Sequence, residues 1–348
     1  MFKTYSDAYK SELGYRLDTK FDDLCIYGVK PLDDALLAIA KDELIVIASN
    51  SGLGKTELSI AISRTNAMRG KKVAHYNLEG GWREAIARMK WRDICSLYFK
   101  EHSGAGIELD YRKWLLNKGE HPLLSKLEAQ IYEKMREKLG ETLYLYDNPE
   151  GLTCDSFCDS LAHFEGLRIP MKLDFLSKET LDTFGGEKPD LIVIDHLHYF
   201  RFPDEKQEIR AMTEVMLKAK EINQKYNIPI ILVAHLRKCP RGHGIPSHED
   251  IYGTSNIYKI ANTCIILAPD YERDNAALGL YPTYIRIAKS RQGLRSNHLM
   301  YCNFDIHTRK YEDFYELYRC YPHGEVAEHP IPENEKPAWA RNAGGEIK

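Results

Sequence analysis

The sequence predicts an α/β fold in which a mostly parallel, twisted sheet is covered by helices on both faces. Three observations carry this expectation. Short apolar runs alternate with helical patterns, and such alternation builds parallel sheets. The runs, such as Leu44-Ile-Val-Ile-Ala48 and Leu191-Ile-Val-Ile194, are continuous, as strands buried on both faces should be. One run leads into a glycine-rich turn and then a helical pattern, the order of a phosphate-binding loop.

Composition sets the outer limits. The chain has 348 residues, with 48 Lys+Arg against 51 Asp+Glu and a formal net charge of −3. Hydrophobic residues at 43% and charged residues at 28% are ordinary globular values. These figures exclude a disordered chain, a collagen and a disulfide-rich mini-protein. A globally basic nucleic-acid coat is excluded too, so any DNA or RNA contact must be local. The apolar runs fall far short of the ~18 residues a membrane span needs. The N-terminal MFKTYSDAYK lacks an apolar signal core and carries Asp7, so a cytoplasmic location is expected. Eight cysteines are scattered at 25, 95, 154, 158, 239, 264, 302 and 320, with no CxxC pair. Cys154 and Cys158 could share a helix face, but small buried thiols in a reducing compartment explain them better than a metal site.

The elements follow in order. Residues 1–24 form an N-terminal arm with a helix around Ser6–Tyr15, and residues 25–321 form one ATPase domain. Residues 31–90 read as strand, glycine loop, helix, strand, helix. A helical insertion spans about 91–188, charged in its first part and polar and irregular from 151. It has breaks at Gly104–Gly106 and Gly119–Pro122. From Pro189 the alternation resumes: strand 191–195, helix near 205–226, strand 229–234, loop 237–255, then strands 263–267 and 283–288. The tail 322–348 is rich in Pro, Gly and Glu and is expected to be loosely ordered.

The strongest local signal is Ser49-Asn-Ser51-Gly52-Leu-Gly54-Lys55-Thr56, after a strand and before a helical pattern. Its Gly-Lys-Thr end matches the phosphate-loop pattern GxxxxGK[ST], while Ser49 stands where the first glycine is usual. Ser51, Gly52 and Gly54 would let the backbone wrap phosphate oxygens, with the helix N-terminus adding positive potential. Lys55 would reach the β- and γ-phosphates of ATP, and Thr56 would hold Mg²⁺. Two carboxylates sit where strands end, which is where an open α/β sheet binds ligands. Asp195 suits the Mg²⁺ role, with a helix N-cap as the alternative. Glu79 suits activation of the attacking water, with a solvated turn acid as the alternative.

With these pieces in order, the chain resembles the RecA-like motor domain of hexameric replicative DNA helicases, the DnaB, Twinkle and phage primase-helicase group. The resemblance covers roughly residues 25–312. It begins at Tyr27-Gly28-Val-Lys-Pro-Leu32-Asp-Asp-Ala-Leu36 and continues through the phosphate loop, Asn77-Leu-Glu79 and Ala87-Arg88-Met89. Gly151-Leu152-Thr153 resembles the segment ahead of the Walker B strand. Asp195-His-Leu-His198 resembles Walker B itself, with His198 where DnaB proteins usually carry Gln. Ala234-His235-Leu236-Arg237-Lys238 resembles the γ-phosphate sensor motif, which implies that His235 senses phosphate. Ile251-Tyr252-Gly253-Thr254-Ser255 resembles the DNA-facing loop. Lys289-Ser-Arg291 resembles the pair that completes a neighbouring subunit's site, with Arg291 as arginine finger. Phe304 falls where phage members stack a base, and Pro269 falls near their nucleotide-contacting Arg, with Arg273 close by.

The resemblance implies an ATP-dependent, ring-forming DNA helicase that translocates on single-stranded DNA. It would act as a homo-oligomer, a hexamer by the family's pattern, with a separate primase or loader. Arg201, Lys206, Arg210, Arg237, Lys238 and Arg241, with Tyr252, Gly253 and Thr254, are the candidate DNA contacts. Taken alone, their charges read equally as a solvated face, His235 as a packed core histidine, and Arg291 as a surface arginine. The aromatic stretch Tyr311–Tyr321 reads as core rather than as a stacking platform. Two rivals stay open: a RecA-fold switch ATPase of recombination or signalling that does not unwind DNA, and a non-hydrolysing replisome-binding protein.

Overall fold

The computed structural model describes residues 2–341 apart from 51, 53, 103–108, 118–121, 147–150, 162–187, 202–207, 238–243, 271–278, 292, 294–297 and 322–323. Its helices are α1 (Tyr5–Asp18), α2 (Lys30–Leu36), α3 (Lys55–Met68), α4 (Gly81–Glu101) and α5 (Tyr111–Leu115). Next come α6 (Pro122–Leu139), α7 (Cys154–Ser160), α8 (Glu208–Tyr226) and α9 (Asn256–Ile260). The strands are β1 (Leu44–Ser49), β2 (Val73–Asn77), β3 (Leu143–Tyr146), β4 (Leu191–Asp195) and β5 (Ile230–His235). They continue with β6 (Thr263–Pro269), β7 (Leu280–Ser290), β8 (His298–Asp305), β9 (Lys310–Tyr311) and β10 (Glu316–Arg319).

All ten join one sheet in the order β10-β8-β7-β6-β1-β5-β4-β2-β3, with β9 on β8. The pairs from β6 to β3 are parallel; β7, β8, β9 and β10 add an antiparallel flank. Leu44, Val46 and Ala48 of β1 point into one core with Met216, Ala219 and Ile222 of α8 and Phe157 of α7. Ile45 and Ile47 point into a second core with Leu58, Ala61 and Ile62 of α3. β1 is thus buried on both faces, which is why it reads as an unbroken apolar run. Thr153 and Ser156 form a reciprocal capping box that starts α7.

Two expectations are corrected. The insertion about 91–188 is not purely helical, because β3 pairs with β2 and supplies a sheet edge. Its α4 and α6 pack a separate small core around Trp91, Ile94, Leu127 and Ile131. The tail is not loose over 324–341. Ile331 and Ala340 are buried in the second core, and the Ile331 amide donates to Leu317 O at 2.7 Å. Apolar residues spaced among Pro and Glu hid this docking in the sequence. The segment Tyr311–Tyr321 does pack as core through Tyr311, Tyr315, Leu317 and Tyr318.

β2 also buries a titratable group. His75 is fully buried, bonded at Nδ1 to Ser63 Oγ at 2.7 Å, and burial pushes its pKa down to about 4 from 6.5. The folded state therefore holds this imidazole neutral, whereas the unfolded chain protonates it below 6.5. Its contribution is complete above that pH and is lost as the pH falls toward about 4. Denaturant melts at pH 7, 6 and 5 should show wild type losing up to about 1.4 kcal/mol more per pH unit than His75→Gln. Parallel slopes for the two proteins would refute this.

Candidate functional site

The parallel strands end together. Ser49 of β1 is level with His235 of β5 and Leu267 of β6, and Asn77 of β2 with Asp195 of β4. The glycine loop leaves β1 at this end. Ser49 keeps a strand conformation, and its Oγ donates to Asn50 O at 2.9 Å, so a side chain here costs no left-handed backbone. Positive φ values fall instead on Gly52 (+82°) and Gly54 (+77°). A Cβ on Gly54 would lie 2.6 Å from the Tyr311 hydroxyl, so the loop also needs glycine for space.

Lys55 opens α3. It is buried, and its Nζ donates to Asn50 O at 3.0 Å. Burial lowers its pKa, opposed by the nearby Asp195 and Glu79 carboxylates. Glu57, two residues on, is buried between the guanidiniums of Arg88 (2.6 Å) and Arg309 (2.5 Å). That ion triad anchors the first turn of the helix against α4 and the β8–β9 turn.

Asp195 is fully buried, and burial pushes its carboxyl up to about 6. Thr56, Ser59 and Lys55 pull the other way, and the Ser59 hydroxyl donates to Oδ2 at 2.9 Å. Oδ1 has no partner. A buried, unpartnered carboxylate oxygen beside the Thr56 hydroxyl fits a hard cation such as Mg²⁺.

Glu79 lies past β2 with its side chain 46% exposed, tied to β4 through the Leu78 amide, which donates to Asp195 O at 2.6 Å. Its Oε2 is 3.5 Å from His196 Nε2, an approach that leaves that buried nitrogen without a hydrogen bond. Burial, with the neighbouring His235 and His198, drives His196 down to about 2, so it is a neutral ring. The His235 ring sits 4.1 Å from that of His196, and burial lowers His235 to about 4. His198 lies 5.4 Å from His235, and its Nε2 approaches Tyr252 O at 3.4 Å. The Tyr252 amide donates to His235 O at 2.9 Å, which ties the turn Tyr252–Gly253–Thr254 to the end of β5.

The structure thus brings together Gly52, Gly54, Lys55, Thr56, Glu79, Asp195 and His235. It does not bring Lys289 and Arg291 to them. Ser290 pairs with Thr263, which is level with Ile45 at the start of β1, whereas the loop follows its end. Lys289 Nζ donates to Tyr258 O at 2.6 Å, and Arg291 Nη2 to Lys259 O at 3.0 Å. Phe304 is corrected: it is 6% exposed, 5.1 Å from the Tyr311 ring, and packs behind Gly54 rather than offering a face to a base.

Arg201, Arg210 and Arg237 are exposed. The Arg201 amide donates to Leu152 O at 2.7 Å, and its side chain crosses Gly151. Arg210 pairs with Glu214 at 3.3 Å. Tyr252 is 45% exposed, and Gly253 has φ +102° close to Met212. Ser51, Lys206, Lys238 and Arg241 lie outside the described residues, as does Arg273. Cys154 and Cys158 do share a face of α7, but among the described residues no group of His, Cys, Asp or Glu forms a metal cluster. Sequence reasoning missed Ser59 and His196 as neighbours of the two carboxylates. The helical spacing of Ser59 from Lys55 was the available signal for the first.

Among solved structures, the chain is similar to one described as the ATPase domain of a helicase. The TM-score is 0.66 at 14% identity, over 89% of this chain and 99% of that one. It is also similar to a DnaB-like replicative helicase, solved in a study of its interactions with primase. There the TM-score is 0.61 at 13% identity, over 89% of this chain and 67% of that one. The chain has the RecA-like fold of these helicase ATPase domains. No protein-family model matches the sequence, and no curated protein does.

Proposed function

We propose that the chain is an ATP-driven, ring-forming helicase motor that moves along single-stranded DNA. One observation carries the reading. The phosphate loop, Asp195, Glu79 and His235 share one end of the sheet, while Lys289 and Arg291 sit at the other, so a chain alone holds an incomplete site.

In this reading the loop amides and Lys55 hold the phosphate chain of ATP, and Lys55 exchanges its bond to Asn50 O for phosphate oxygens. Thr56 and Asp195 would hold Mg²⁺, which when bound neutralises phosphate charge. Glu79 takes a proton from the attacking water, and His196 borders it on the inner side. His235 meets the γ-phosphate and passes its loss to Tyr252–Thr254 through the amide bond between them. Arg291 and Lys289 reach the neighbour's site in trans. Arg201, Arg210, Arg237 and Tyr252 would face DNA phosphates and bases in the central channel, with little sequence preference. Loading, or coupling to a primase, would fall to another protein.

The direct test is steady-state ATP hydrolysis with and without long single-stranded DNA, with Lys55→Ala as control, followed by strand separation on a fork. Stimulation that disappears in the control is expected. Hydrolysis indifferent to DNA would favour a switch ATPase, and none above the control would end the motor reading.

Ring formation has its own handle. α1 has no buried residue, and Phe2, Tyr5, Tyr9, Tyr15 and Leu17 are all exposed. Fourteen residues make a marginal helix alone, so its place is against a neighbouring subunit. Deleting residues 1–18 should shift sedimentation from a ring toward smaller species. An unchanged sedimentation coefficient per assembled chain would remove α1 from the interface.

A further inference from the structure

We propose that the cleft between α3, α4, α6 and β9 is a second ligand site, separate from the phosphate loop. Its ligand is a small molecule with a phosphate head and an apolar or flat body. The cleft encloses about 440 Å³, within the range of small-molecule sites. It does not overlap the ATP site: Arg64, on its wall, lies nine residues along α3 from Lys55, roughly 14 Å away.

Charge marks the cleft for an anion. Arg64, Arg92, Lys100, Lys134 and Lys310 line it against only Asp93 and Asp313, an excess of three positive charges in a chain of net −3. Asp93 is already committed. Both its oxygens pair with Arg64, one at 2.9 Å from Nε. Arg92 and Lys310 are therefore left as neighbouring cations with no carboxylate of their own.

Both are withdrawn from water. Arg92 is 9% exposed, and its only side-chain hydrogen bond among the described residues runs from Nη1 to Arg309 O. Lys310 Nζ donates to Ser96 Oγ. Burial lowers the pKa of each, and Arg92 lowers that of Lys310 further. Two buried like charges facing one space are unfavourable while it holds only water. A doubly charged phosphate bridging them supplies the missing countercharge and meets the open guanidinium edge with paired acceptors. Leu97, Ile131 and Met135 form an apolar wall beside this head site, which is what gives the ligand its body.

The test uses the full chain, its phosphate loop first saturated with Mg-ADP. Calorimetric titration with inorganic pyrophosphate, the head alone, should show one further equivalent bound per chain. Lys310→Gln, which still reaches Ser96, should weaken that binding at least tenfold. Lys134→Glu, an exposed change that leaves the fold alone, should weaken it at least threefold. Adenosine monophosphate binding tighter than pyrophosphate would assign the body to a nucleotide, and equal binding to the phosphate head only. No heat beyond that of Mg-ADP, or pyrophosphate binding equal in wild type and both variants, would overturn the proposal.

Discussion

Glu79→Gln is expected to lower ATP turnover by about 10²–10⁴-fold, the usual contribution of a positioned general base. ATP binding should stay within a few-fold, because Glu79 stands beyond β2 and outside the loop that would hold the phosphates. Glutamine keeps the volume and can still meet His196, so what is lost is the proton acceptor alone. The exposure of the carboxylate favours this role, since the attacking water must arrive from solvent. Single-turnover phosphate release, beside equilibrium titration with a fluorescent ATP analogue, separates the two effects. Turnover within threefold of wild type would move the base elsewhere.

The second large effect concerns Arg291. Arg291→Ala should cost 10³–10⁵-fold in turnover, the range of an arginine finger (an order-of-magnitude expectation). A loss of that size fits a surface arginine bonded only to backbone oxygen in its own chain only if its target is another chain. Mixing settles this. Lys55→Ala and Arg291→Ala are each inactive alone. In a ring mixed one to one, about a quarter of the interfaces pair an intact loop with an intact finger. Hydrolysis should therefore recover to roughly that fraction of wild type, on the same interface count. A mixture as inactive as its parents would place the finger in cis or remove its role.

Most of the parallel half of the fold was legible, because its strands are apolar on both faces and its loop has a glycine signature. The antiparallel flank was less so. β8 alternates buried and half-buried residues, and β9 has two residues, too few for any period to register. β3 escaped for a related reason: none of its four residues is fully buried, as suits a sheet edge. At the site, Lys55, Thr56, Glu79, Asp195 and His235 were found because each ends a strand or begins a helix beside a recognisable neighbour. Phe304 misled because a residue type at a family position says nothing of which side its ring faces. Here Tyr311 and Gly54 occupy that side.

The register of the sheet bears on how a ring would move. A chain's own nucleotide cleft and its reach toward the next subunit hang on the same strands, separated by the length of β1 from Ile45 to Ser49, roughly 13 Å. Hydrogen bonds on both sides of β1 and β6 make that span a stiff strut, not a hinge. Closing a neighbour's cleft then requires tilting a whole subunit, and the tilt repositions the tilting subunit's own cleft as well. Occupancy at one seam would be felt at the next as a change of angle, and subunits would fire in sequence rather than independently.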